Sequence, residues 1–278
     1  MTASNSENLT SIAVGASVGD SAGIVGSFSV NLVTNTTRAG FGDGSTMRGG
    51  AERSAIRASD STSLDSIAGG IAGGGDAGIG AGVSVGIIKK STTSGFGAGD
   101  TVDYTGSLSV LANSQETINA LAVNAGLGGS AAVTGSADVY LVNTDTEAYL
   151  GDGSTVQGTG FIAFGASDSS TINLLAGGAA VGGSAGVAAS NTTLLRNDTT
   201  LASVGNGATL DVGDLFVSAY SGQTISTLAA GGGAAGDVGV AGSATVNVLN
   251  QDTRAWTGFG VQVNASGNVG VSAQADTT

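Results

Sequence analysis

Apolar and polar residues alternate along this chain in long runs, and the alternation returns in five copies. The first copy carries SFSVNLV, and the aligned segments of the others read GVSVGII, ADVYLVN, NTTLLRN and ATVNVLN. Alternate positions line up as three columns. They are Phe28, Val83, Ala137, Asn191, Ala244; then Val30, Val85, Val139, Thr193, Val246; then Leu32, Ile87, Leu141, Leu195, Val248. A spacing of two rich in β-branched residues predicts a half-buried strand, one face in and one out. Like residues stacked on like predict a solenoid whose interior these columns fill. Asn191 and Thr193 interrupt two columns, which predicts a weak point or a bend in the fourth copy.

The period follows from two independent markers. An apolar pair opens each copy at Leu9/Ile12, Leu64/Ile67, Ile118/Leu121, Ile172/Leu175 and Ile225/Leu228, giving steps of 55, 54, 54 and 53 residues. A glycine turn beginning at Gly42, Gly97, Gly151, Gly205 and Gly258 repeats the same steps. Fixed spacing of this kind marks stacked repeats. The expected fold is therefore all-β, a parallel β-helix built from five tandem repeats of about 54 residues. It forms one continuous solenoid over 1–278, with repeats at approximately 7–61, 62–115, 116–169, 170–222 and 223–278. Each repeat is near the size at which a lone core becomes marginal, which favours rungs sharing one core over separate beads.

Within a repeat, a second alternating strand contributes Ser54/Ile56, Leu108/Val110, Ile162/Phe164, Leu215/Val217 and Val269/Val271. The turn between the two strands reads GDGS, GAGD, GDGS, GNGA and GFGV. Glycine there supplies positive φ, and Asp or Asn is expected to bond its own downstream backbone. No proline is present to interrupt a ladder. Segments such as IAGGIAGGGDAGIGAG are too glycine-rich for helix. They read as two strand pieces around a turn, thin because another backbone lies close. Whether they face a sheet or protrude as a hairpin is open, as is coil size: three rungs of about 18 residues, two of about 27, or one flattened rung.

Composition narrows the function. Lys plus Arg total 8 against 21 acidic residues, for a net charge of −13. That leaves nucleic acid and anionic lipid as poor partners, since phosphate recognition needs clustered basic side chains. Low charge content and positive mean hydropathy argue against disorder. There is no cysteine, so neither a disulfide framework nor a thiolate metal site can form. The N-terminus MTASNSENLTSIAV lacks the basic and apolar regions of a signal peptide. With no atypical capping repeat at either end, the chain reads as a slice of a longer array, its export signal and anchor lying outside.

Candidate chemistry is sparse. Without histidine, Ser-His and Cys-His arrangements are impossible. A lyase or epimerase on a β-helix would need a carboxylate beside a base in one groove. The bases are Arg38, Arg48, Arg53, Arg57, Lys89, Lys90, Arg196 and Arg254, scattered across the repeats. Calcium is the candidate cation, through Asp43, Asp100 and Asp152 in the turns and Asp145, Asp198 and Asp252 upstream. These positions are not acidic in every copy, which favours plain turn residues. A threonine column, Thr37, Thr92, Thr146, Thr200 and Thr253, suggests an ice- or glycan-binding row. Its neighbours Asn35, Lys90, Thr144, Asp198 and Gln251 are mixed, so β-propensity is the simpler reason. The apolar stretch Ser66–Ile88 reads as buried strand rather than membrane span, because Asp76 interrupts it.

The order of apolar strand, GGAAVGGSAG-like segment, xVNVLNxxT, GDGST and a polar SDSST link resembles the tandem repeats of giant bacterial secreted filamentous adhesins. Within them it is most similar to the leukotoxin-type and haemagglutinin-like filamentous adhesins. The resemblance covers all five copies. It implies a right-handed parallel β-helix, a secreted or cell-surface location, and a role in attachment. It transfers no catalytic residue, and Phe259 stands where Asp43 and Asp152 sit in other copies. The reading is thus a non-enzymatic shaft segment mediating attachment or filament assembly, with a Ca²⁺- or glycan-binding solenoid as the alternative. Its expected partners are further copies, joined end to end through open rungs, and a cell-surface glycan or protein. Nucleic acid binding and membrane insertion are not expected.

Overall fold

The computed structural model describes residues 1–50 and 52–278. The chain is an all-β parallel β-helix, and each repeat forms a single flattened rung. The first rung is β1 (Thr2–Gly19), β2 (Ala22–Gly40) and β3 (Thr46–Gly49). The second is β4 (Ser54–Gly74), β5 (Ala77–Phe96) and β6 (Thr101–Tyr104). The third is β7 (Leu108–Gly128), β8 (Ala131–Leu150) and β9 (Thr155–Gly158). The fourth is β10 (Phe161–Gly182), β11 (Ala185–Val204) and β12 (Thr209–Val212). The fifth is β13 (Asp214–Ala235), β14 (Val238–Thr257) and β15 (Gln262–Ala265), after which β16 (Val269–Thr277) starts another turn of the coil.

Three parallel sheets result. The first stacks β1-β4-β7-β10-β13-β16, the second β2-β5-β8-β11-β14, and the third β3-β6-β9-β12-β15. The two long sheets face each other, and the narrow third sheet closes one side. Registry is unbroken: Val30, Val85, Val139, Thr193 and Val246 pair in turn, as do Ile56, Val110, Phe164, Val217 and Val271. β11 also runs through Asn191 and Thr193 without the bend that is one of the two expectations there.

One flattened rung per repeat resolves the coil size. The alternating strand that ends one copy, the polar link and the opening apolar pair of the next are one continuous strand. In β4 this unites Ile56, SDST and Leu64. The link holds no proline, and its one glycine, Gly222, stays in register within β13, so nothing turns the chain there and the sequence-based boundaries fall inside long strands. Besides the short step from the third sheet into the next rung, as at residues 105–107, true turns occur at two places. One is the glycine turn before the third sheet, where Gly44, Gly99, Gly153, Gly207 and Gly260 have φ between 64° and 70°. A Cβ is disfavoured in that left-handed region. The other is a two-residue turn, such as Asp20-Ser21 or Gly129-Ser130, that reverses the chain between the long sheets.

That second turn forces the two sheets together, and the Gly/Ala segments lie there. They form the thin margin of the sandwich, each on its own sheet. A methyl group on Gly126 would sit 2.9 Å from Thr134 Cγ2, and one on Gly186 would sit 2.9 Å from the Ala180 carbonyl oxygen. Only small side chains fit between the sheets at this margin, represented by the buried cluster Ala132, Ala180 and Ala188. The wide side, propped open by the third sheet, holds Phe96, Tyr104, Leu108, Val110, Leu150, Ile162, Phe164 and Leu215. A second apolar cluster of Leu64, Ile88, Ile118, Tyr140, Val142, Ile172 and Leu194 lies nearer the thin margin.

The expected interior columns are on the wrong face. Phe28, Val30 and Leu32 are 63%, 56% and 67% exposed, and their counterparts through Val248 also point outward. The residues between them, including Ser29, Asn31, Ser84 and Asp138, point inward and are buried. The columns do stack, but as ladders on the outer surface. Likewise, Ser66–Ile88 is strand, yet Ile67, Ile71 and Ile79 are exposed, so the segment is buried on one face only.

Candidate functional site: a sealed charge belt and its outer faces

Between the two apolar clusters, the inward positions become polar. The first sheet contributes the columns Asn5, Asp60, Ser114, Asp168, Ser221 and Glu7, Thr62, Glu116, Ser170, Gln223. Opposite them the second sheet places Asn35, Lys90, Thr144, Asp198, Gln251, with Arg196 one inward position away. Lys90 Nζ lies 2.6 Å from Asp60 Oδ1 and 2.7 Å from Glu116 Oε1. Arg196 Nη2 lies 2.6 Å from Asp168 Oδ2 and 3.8 Å from Glu116 Oε2. All of these side chains have no solvent exposure. Lys90 also donates to the Gln115 carbonyl, and Asp198 accepts from Ser221, from Gln223 at 3.2 Å and from Thr144 at 3.0 Å.

The carboxylates of the belt outnumber its cations, and protonation compensates in part. Burial pushes the Asp168 carboxyl well above its usual range, with the charges of Glu116 and Asp198 adding to the effect and Arg196 opposing it. Asp60, Glu116, Asp168 and Asp198 face only Lys90 and Arg196, so a proton on Asp168 reduces the surplus of negative charge without abolishing it. Asp60 goes the other way. Burial would raise it, but the Lys90 contact, with Asn5 and Thr37 donating as well, holds it below its ordinary value. Desolvation of ions in a protein interior costs several kcal/mol each, so such a belt adds little net stability. Leaving one member unpaired, however, costs about 3–5 kcal/mol.

The belt answers several sequence expectations. A carboxylate–base cluster exists, but it is sealed between two sheets instead of lining a groove, so no substrate reaches it. Among the other bases, Arg38, Lys89 and Arg254 point outward on the second sheet, Arg57 points outward on the first, and Arg48 and Arg53 are exposed. The threonine column faces inward, with Thr37 5% exposed and Thr92, Thr146 and Thr200 fully buried, so it presents no surface row. Asp145, Asp198 and Asp252 do not converge: Asp198 points inward, and exposed Asp252 pairs with Arg254 at 2.7 Å. Among the described residues no group of three or more acidic side chains comes together as a cation site.

The turn carboxylates bond across rungs, not to their own downstream backbone. Asp43 Oδ1 accepts from the Ala98 amide at 2.9 Å, and Asp152 Oδ1 from the Asn206 amide at 2.7 Å. Asn206 Oδ1 accepts from the Phe259 amide at 2.8 Å, so Phe259 keeps the donating half of the bond while its side chain is exposed. These bonds lock each turn to the next, which explains the residue type without a metal.

Sequence reasoning missed what lies outside. The first sheet bears a polar ladder, Asp65–Asn119–Asn173, bonded at 2.8 and 2.9 Å, beside an apolar ladder of Ile67, Leu121, Leu175 and Leu228. The two ladders line a shallow groove of about 540 Å³. The second sheet has an equivalent ladder, Asn143–Asn197–Asn250, with both bonds at 2.8 Å. The steps of about 54 residues between these asparagines were the available signal.

No protein-family model matches the chain, and no curated protein or solved structure matches it either.

Proposed function

We propose that the chain is a structural segment of a secreted or surface-displayed bacterial filament, which holds broad β-sheet faces out for attachment and assembles by stacking rung on rung. The observation that carries this reading is the unbroken parallel registry of three sheets over every rung, with the outer edges of the end strands unpaired within the chain. Unpaired edges are templates for another strand, whether from further repeats or from a second copy. The residues resembling filamentous adhesin repeats support the same reading.

The proportions refine the role. A rung rises by only about 4.8 Å, whereas a 20-residue strand runs about 65 Å, so the chain is a plate far wider than it is tall. Spending about 54 residues on one step is a poor way to gain length and an effective way to gain lateral surface. A glycan lying along the Asn–Leu groove is the second reading, favoured by amide donors and acceptors in a row beside an apolar wall.

Electron microscopy of the purified chain across a concentration series tests the stacking. Particles should lengthen along the rung axis in increments of about 25 Å, the height of one chain. Particles of constant height at every concentration would contradict end-to-end assembly. A glycan array then separates the readings: retention of a sugar that Asn119→Ala and Asn173→Ala abolish supports the groove, and no retention removes it.

A further inference from the structure

The outer face of the second sheet carries an apolar field that the stacking of rungs does not use. From Ala22 to Leu32, and at the equivalent outward positions of the other four rungs, only Asn191 and Thr193 are polar. No charged side chain falls within it. Using about 3.3 Å per residue and about 4.8 Å per rung, the field covers roughly 800 Å². A monomer rarely leaves so large a continuous apolar patch in water.

Its relief is regular. The column Gly26, Ala81, Gly135, Ala189, Gly242 is an axial furrow, and a methyl group added at Gly26, Gly135 or Gly242 would meet nothing within 4 Å. On one side rises the ridge of Ile24, Ile79, Val133, Val187 and Val240; on the other rises the ridge that begins with Phe28 and Val83. Charge flanks the field at both ends: Lys89, Asp145, Glu147, Asp252 and Arg254 point outward beyond Leu32, and Asp20, Asp76 and Asp237 are exposed in the turns at the thin margin.

We propose that this face is the interface of a laterally paired dimer, its occupant a second copy of the chain related by a two-fold axis that lies between the two faces, parallel to the rung axis. The area matches the roughly 800 Å² per partner of a standard stable interface. The corresponding field on the first sheet, residues 12–18 and equivalents, spans seven residues and falls well short of that. Two identical faces share one axial repeat, so a ridge seated in the partner's furrow at one rung is seated at every rung. With the thin margins pointing in opposite directions, the border that holds Lys89 in each copy lies beside its partner's thin-margin aspartates, outside the apolar contact. The net charge of −13 then opposes pairing only from a distance. Face-to-face packing sets the sheets about 10 Å apart, as in a sandwich. Lateral pairing doubles thickness and leaves rung height unchanged, so it stands or falls independently of end-to-end stacking.

Sedimentation velocity of the full chain, beside the double variant Val83→Lys/Leu141→Lys, tests the pairing. The wild type should sediment as a dimer. The variant should dissociate with an affinity about tenfold or more weaker, while its circular dichroism stays unchanged. As a measurement that needs no disruptive change, Ala137→Cys, near the centre of the field, should be joined into a covalent dimer by a short bis-maleimide and Val123→Cys, on the first sheet, should not. A wild type that stays monomeric near 100 μM, or a variant that stays dimeric, would overturn the proposal. So would co-flotation of the wild type with phosphatidylcholine vesicles, because that outcome assigns the face to lipid.

Discussion

The same strands obey opposite rules at the two margins of the sandwich. Toward the third sheet, β8 points Ala148 and Leu150 inward and sets Asp145 and Glu147 outside. Toward the thin margin, it points Thr134, Ser136 and Asp138 inward and sets Val133, Val139 and Leu141 outside. The difference is spatial. A third sheet holds the wide margin open, and large side chains fill it. A two-residue turn pulls the thin margin shut, and only small or short polar side chains fit, some bonding across it, as Asn124 does to Ser136 at 3.0 Å. Close approach of the backbones, and not hydrophobicity, decides what is inside there.

Sharp tests of this contrast begin with truncations on the two sides. Phe164→Ala, inward at the wide margin, should lose about 3–5 kcal/mol in denaturant unfolding. Leu195→Ala, outward in the thin half, should lose about 1 kcal/mol, because the removed atoms were already half hydrated. Equal losses would dissolve the distinction.

Titration sharpens it further. Burial of Asp138 pushes its carboxyl from 3.8 up to about 7, and neither of its carboxylate oxygens has a side-chain partner. A carboxyl with a raised folded pKa favours the protonated fold. Its contribution is therefore complete below pH 3.8 and is lost as pH rises through about 7. Unfolding measurements should show stability increasing as pH falls from 7.5 to 4.5, by an amount on the order of 2 kcal/mol. Asp138→Asn should reduce that slope, with buried Asp168, shifted in the same direction, carrying part of the remainder. Asp60 acts oppositely, but its depressed pKa withdraws stability only at still lower pH, outside this window.

Smaller effects are expected from valine placed at glycines on opposite faces. Gly126→Val should cost about 1–3 kcal/mol by overpacking the thin interior. Gly135→Val meets no atom of its own chain and should leave the unfolding free energy of the dissociated chain within about 0.5 kcal/mol of the parent.

Much of the fold was legible in the sequence. The steps of 53 to 55 residues fixed which residues stack, and every column read from them pairs in register. Two things were hidden. Alternation reveals that Val30, Val85 and Val139 share a face but not which face, and ranking faces by hydrophobicity chose the outer one. The belt was hidden for the related reason that Lys90, Glu116 and Arg196 are residues a sequence reader assigns to solvent. Their partners come from the opposite sheet, 28 residues away for Arg196 and Asp168. The adjacent pair Lys89 and Lys90 shows the limit directly: one is exposed and the other sealed.

The inversion itself is most directly tested by thiol labelling, since the chain has no native cysteine. Ala122 is fully buried and Val123, its neighbour on the first sheet, is 43% exposed. In the folded protein, Val123→Cys should react with a polar thiol reagent at close to the rate of a free peptide, and Ala122→Cys should be protected until global unfolding. Protection at 123 with ready reaction at 122 would contradict the account.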